Sequence, residues 1–162
     1  MLEFGTENTE CGGNAPFVKS IEDNEDNTLK IMLSLPVVGE SDSNIDDTGI
    51  EKLNELLKNC CPIYPDEGST YEIMFRDYIM YQTRNESYCS WDDYEIRKGN
   101  IFILFERSRL LDQLQNITDC QILEDGSYYP AKWKHYGIVS QNHIIDIISQ
   151  QEPVITRQNL QI

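Results

Sequence analysis

The sequence predicts an α+β fold, a mainly antiparallel sheet with about two helices in a single domain, and three observations lead there. Apolar residues alternate with polar ones along most of the chain, while only two segments carry them at helical spacing. Strand-like and helix-like segments also fail to alternate in the regular βαβ order of a parallel sheet. The length of 162 residues matches one domain, and 40% apolar residues with nine Tyr, five Phe and two Trp suffice for one core rich in β structure.

Taken in order, residues 1–14 are polar and read as a flexible N-terminal arm, leaving residues 15–155 as the domain and 156–162 as a C-terminal tail. Pro16 to Ile21 fits a short edge element. From Thr28 to Leu35, Leu29, Ile31, Leu33 and Leu35 alternate with Lys30, Met32 and Ser34, the pattern of a strand. Ile50, Leu53, Leu56 and Leu57 recur at helical spacing, predicting a helix over about 47–60 capped by Asp46, Asp47 or Thr48. Pro62 and Pro65 end it, and a loop is expected to run on to Gly68.

Period two returns with Tyr71, Ile73 and Phe75 and then Ile79, Tyr81 and Thr83, giving two strands or one bent strand. Residues 94–105 read as a hairpin turning at Lys98-Gly99-Asn100, residues that tolerate positive φ. Ser108 is placed to cap a short helix over 108–117 whose stripe is Leu110, Leu111, Leu114 and Ile117. After a turn at Asp125-Gly126, the runs His135–Ser140 and His143–Ile148 are expected to be a last buried strand pair.

Thirteen basic residues against 28 acidic ones give a net charge of -15. Most of the excess lies early, with 15 acids and 4 bases in residues 1–70 against 13 and 9 thereafter. Such a field repels phosphate backbones and anionic membranes, which argues against nucleic acid or membrane as partner. The acidic, polar start lacks a secretory pattern and no apolar run approaches a membrane span, so a soluble cytoplasmic protein is expected. Five cysteines, an odd number without Cys-x-x-Cys spacing, read as free thiols, and two glycosylation sequons at Asn85 and Asn116 then read as chance.

No phosphate-binding Gly-rich loop, nucleophile elbow or dinucleotide fingerprint is present, so no cofactor and no catalytic residue is assigned. His135 and His143, eight residues apart, cannot share a helix face. Strands could bring them together, and Asp146 or Cys89 would then complete a metal or Cys-His site, set against ordinary structural histidines. The run Asp42 to Asp47 loosely offers calcium ligands but lacks the central Gly and terminal Glu, and capping accounts for it equally.

What remains is acidic surface in three clusters. Glu22, Asp23, Glu25 and Asp26 form one; Glu40, Asp42, Asp46 and Asp47 a second; and Trp91 with Asp92, Asp93 and Glu95 a third. Carboxylates beside a large aromatic suit a basic protein partner, by steering its approach and then anchoring it. The expected partner-binding residues are therefore Asp42, Asp46, Asp47, Trp91, Asp92, Asp93 and Glu95, with solubility alone as the competing account.

In size, acidity, lack of catalytic motifs and expected cytoplasmic character, the chain resembles the immunity proteins of bacterial toxin systems, including those paired with contact-dependent inhibition toxins. The resemblance covers overall character and carries no residue-by-residue motif. It implies a one-to-one complex in which an acidic protein neutralises a basic, nuclease-like toxin domain. The other readings are a small cytoplasmic enzyme using Cys89 or His143, an acidic DNA mimic, and an assembly subunit whose oligomeric state is left open.

Overall fold

The period-two segments pair into antiparallel sheets, and a computed structural model, which describes residues 2–41, 47–58 and 60–159, shows the α+β class. In chain order the elements are β1 (Phe17–Asp23), β2 (Thr28–Val38), α1 (Glu51–Lys58), β3 (Ile63–Arg76), β4 (Tyr78–Asn85), β5 (Ile96–Lys98), β6 (Phe102–Arg107), α2 (Arg109–Ile117), β7 (Gln121–Ile122), β8 (Tyr128–Tyr129), β9 (Lys134–Val139), β10 (His143–Ser149) and β11 (Val154–Asn159). One sheet has the order β1-β2-β3-β11 and a second the order β4-β10-β9-β6-β5, while β7 and β8 form a small ribbon. No helix among the described residues is long and apolar enough to cross a membrane.

The alternation explains how the sheets meet. Leu29, Ile31 and Leu33 of β2 and Ile73 and Phe75 of β3 share one buried core with Phe102, Tyr136, Ile138, Ile145 and Ile147 of the second sheet. The chain passes between sheets at Asp77, where a φ of 52° turns β3 directly into β4. Because side chains alternate, Asp146 and Ile148 of β10 point to the opposite, outer face of the second sheet. There Ile148 packs with Leu114 of α2, Cys120 and Trp133 in a second, smaller core.

Three expectations about chain boundaries are corrected. Residues 2–14 are not a loose arm, because Leu2 and Cys11 are buried and the Phe4 ring meets Phe75, Phe102 and Tyr136 edge-on at 6.0, 5.5 and 5.1 Å. Buried Asn8 locks the segment, bonding both main-chain groups of Glu3 while its own N–H donates to Asn100 Oδ1. Polar composition concealed two apolar anchors placed for one inter-sheet gap.

The domain also extends beyond 155, since β11 pairs with β3 from Val154↔Met74 to Asn159↔Ser69. Finally, the expected Pro62–Gly68 loop is largely the start of β3, with Pro65 opposite Pro36. Both prolines are tolerated because β1 and β11 do not reach this end of the sheet, so each strand has an unpaired edge there.

Candidate functional site

A concave pocket of about 550 Å³ opens on the outer face of the second sheet. Its floor is Gln82 and Arg84 of β4, His135 of β9 and Asp146 of β10. The walls come from the connection 85–95 and the first turn of α2. Antiparallel register gathers the floor: Asp146 lies opposite Gln82 on one side and Gly137 on the other, with Arg84 and His135 one step along.

Asp146 is the organising group. Its buried carboxylate accepts Arg84 through two bonds of 2.8 and 3.1 Å, Gln82 Nε2 at 3.0 Å and His135 Nε2 at 3.2 Å. Burial pushes its pKa upward, but the hydrogen bonds of His135 and Arg84 and the charge of Arg84 outweigh that and hold it below the usual carboxylate range. His135 Nδ1 lies 2.8 Å from Ser108 Oγ, which also accepts the Leu111 N–H at 3.1 Å as the cap of α2. One tautomer satisfies all of these atoms, with the ring donating from Nε2 to Asp146 and the Ser108 hydroxyl donating to Nδ1.

These are the residue types of a hydrolytic triad, but the geometry does not serve that chemistry. A nucleophilic serine must meet substrate, and Ser108 is completely buried with its oxygen committed to the helix cap. The network fixes α2 to the sheet and sets the pose of Arg84, whose Nη1 meets no acceptor among the described residues.

Asp92 and Glu95 of the third acidic cluster line the pocket, and Trp91 and Asp93 lie beside them on the same connection. Among its aromatics Tyr88 is 88% exposed, Trp91 37% and Tyr94 39%. A stacked column supports Trp91: His135 lies parallel to Phe105 at 4.1 Å, Phe105 is followed by Trp91 at 6.4 Å, and the Arg97 guanidinium sits 3.7 Å above the indole. Gly137 makes room for this column, because a Cβ there would come within 2.8 Å of the Phe105 ring.

The cluster is less purely acidic than its sequence reads. Asp92 pairs with Arg109 at 2.6 Å, and this hydrogen bond holds its carboxyl below the ordinary range. Tyr94 bonds the Asp112 carboxylate, which raises its pKa, and lies between the guanidinium groups of Arg107 and Arg109 at 4.7 and 4.8 Å. Asp93 and Glu95 make no ion pair among the described residues. The site can therefore grip polar and charged side chains of either sign around exposed aromatic faces.

Of the other expected residues, Asp42 and Asp46 lie outside the described residues. Asp47 is exposed on a different connection, where its carboxylate accepts the Gly49 N–H and Asn54 Nδ2, bonds that lower its pKa. Cys89 lines the pocket, its thiol directed to the Asn85 carbonyl at 3.4 Å, whereas His143 is exposed at the start of β10 and is not among the pocket residues. No cluster of three or more His, Cys, Asp or Glu among the described residues is arranged to hold a metal ion.

Sequence reasoning passed over Arg84 and Ser108's link to His135. One signal was available: Asp146 is a lone charge inside the run Ile144 to Ile148, and a carboxylate in a buried strand requires a partner. Compared with protein-family models, curated proteins and solved structures, the chain matches none.

Proposed function

We propose that this protein works by binding, as an acidic inhibitor that neutralises a basic protein in the manner of a toxin-immunity protein, with the 86–95 connection as its contact surface. The observation carrying this reading is the presentation of Tyr88, Trp91 and Tyr94 to solvent beside Asp92, Asp93 and Glu95 on one connection braced from below. Trp91 and Tyr94, held by Phe105, Arg97 and Asp112, lose little entropy on contact, and exposed aromatics are the usual anchors of protein interfaces. The net charge of -15 steers a basic partner from a distance, and the local mixture of Asp93, Glu95, Arg97 and Arg107 supplies selectivity at contact.

The test is capture of partners from the native lysate at low and moderate salt by the intact protein, by Trp91→Ala, and by Asp93→Lys/Glu95→Lys. Asp92 is left in place because its reversal would also break the Arg109 pair. The expected result is one stoichiometric basic protein, lost as salt rises and retained at least about tenfold less by each variant, a factor equal to about 1.4 kcal/mol. Identical retention by all three proteins would remove the reading.

A further inference from the structure

The pocket over Asp146 has paired charges on its floor and an unpaired one in its wall. Arg84 is tied to Asp146 and Arg109 to Asp92, while His135 is neutral in the tautomer that satisfies its neighbours. Glu95 is the remainder: half-buried in the wall, its carboxylate has no ion pair or hydrogen bond among the described residues. Two bases against three acids leave the lining with a net charge of -1, inside a molecule of net charge -15.

A second acceptor lies on the floor. A carboxylate only accepts, so Gln82 must turn its amide N–H toward Asp146, and the 3.0 Å bond there leaves Oε1 on the far side of the amide. That oxygen accepts from none of the described residues, and Gln82 lines the pocket. Leu110 and the ring of Tyr88 add apolar surface to the walls, of the kind that covers the methylene stem of a long basic side chain. The volume of about 550 Å³ is more than one such side chain fills. An acidic side chain could reach the Arg84 Nη1 donor, but it would enter against the negative excess of the wall and of the whole molecule.

We infer that this pocket receives an arginine side chain of the basic partner, its guanidinium donating to the Glu95 carboxylate and to Gln82 Oε1 while its methylenes lie against Leu110 and Tyr88. A planar fork of five donors can serve acceptors on two sides of a pocket, which a compact ammonium does less well. The inference rests on the partner-binding reading for the protein that carries this arginine, and it adds a charged anchor beside the aromatic one.

The experiment needs no partner. The intact protein is titrated at constant ionic strength with the N-acetyl, N-methylamide derivatives of arginine, of its neutral isostere citrulline, and of glutamate, while the NMR signals of the Gln82 side-chain amide, the Arg84 Nε–H and the Leu110 methyls are followed. Saturable shifts are expected with the arginine probe, at an affinity at least about fivefold above that of either other probe. Glu95→Gln should weaken the arginine probe at least about fivefold and change citrulline less than about twofold, whereas Asp26→Asn, an exposed acid on the β1–β2 turn, should change neither by more than about twofold. No saturable shift with arginine would overturn the inference, as would equal binding of arginine and citrulline, binding of glutamate as tight as arginine, or equal losses in Glu95→Gln and Asp26→Asn. Partner capture that depends on Trp91 without arginine binding here would sink this inference alone; arginine binding without any captured partner would sink the partner reading and leave the pocket a guanidinium site.

Discussion

The two helices begin from similar sequence patterns and end in different structural situations. α1 carries Leu53, Leu56 and Leu57 on a stripe that follows exposed Ile50, yet it buries none of its residues, and Leu56 remains 62% exposed. In α2, Leu114 is fully buried against Ile148, Trp133 and Cys120, and Leu110 and Leu111 pack on the same cluster. Both helices are amphipathic, so periodicity does not separate them. The difference is that α2 starts at a residue, Ser108, bonded to His135 of the sheet, whereas α1, in the connection between β2 and β3, buries none of its residues while Val37, Val38 and Tyr64 of those strands also stay exposed. An apolar stripe states what a helix could cover; only the rest of the chain decides whether anything is there.

Measurements at three places would break or sharpen this contrast, and the largest effect is expected at Asp146, the anchor beneath α2. Asp146→Ala strands Arg84 and removes the acceptor of His135, and chemical denaturation should show a loss of about 3–5 kcal/mol. A loss below about 1 kcal/mol would mean that the network does not hold the fold. The same group sets a pH dependence. Its folded pKa is lowered, so its contribution is fully present above the unfolded value of about 3.9 and disappears as pH falls through the folded one. The acid limb of a stability curve below about pH 4 should therefore be shallower in Asp146→Asn than in the unmodified protein.

Next, Leu114→Ala should cost about 2–5 kcal/mol through the cavity it opens, whereas Leu56→Ala should change stability by less than about 0.5 kcal/mol. Equal losses would show that α1 is packed after all and would end the comparison. Of the changes expected to destabilise, the smallest is Ser108→Ala, about 0.5–2 kcal/mol for loss of the cap. That variant should also alter the His135 imidazole NMR signals, because Nδ1 loses its donor. An unchanged imidazole spectrum would separate the cap from the network.

These residues also mark how far the sequence could be read. Strand identity was legible wherever a strand is covered on one face only, as at Leu29, Ile31 and Leu33, because alternation reports one-sided burial directly. The hairpin at Gly99, with a φ of 85°, and the Ser108 cap were legible because each depends on a few adjacent residues. The N-terminal segment was misread because Leu2 and Phe4 are isolated in a polar stretch, and their partners, Phe75, Phe102 and Tyr136, lie far along the chain. Of the candidate surface, the Trp91–Glu95 cluster could be named from local composition, but the pairing of Asp92 with Arg109 and the seating of Arg97 and Arg107 on Trp91 and Tyr94 depend on where β5, β6 and α2 fold. The pocket floor joins residues 84, 135 and 146, a long-range arrangement that no local pattern encodes.

Gly137 divides the freedom of this molecule to vary. Its missing side chain sets the depth of Phe105, and through the stacked rings the height at which Trp91 stands above the sheet. Asp93, exposed, and Glu95, half-buried at the pocket, are by contrast loop residues without ion-pair partners among the described residues, and could be exchanged without disturbing that column. A lineage following a changing partner could therefore rewrite the charges of this surface one residue at a time while inheriting its relief unchanged. A side chain gained at 137 would alter the relief itself in a single step.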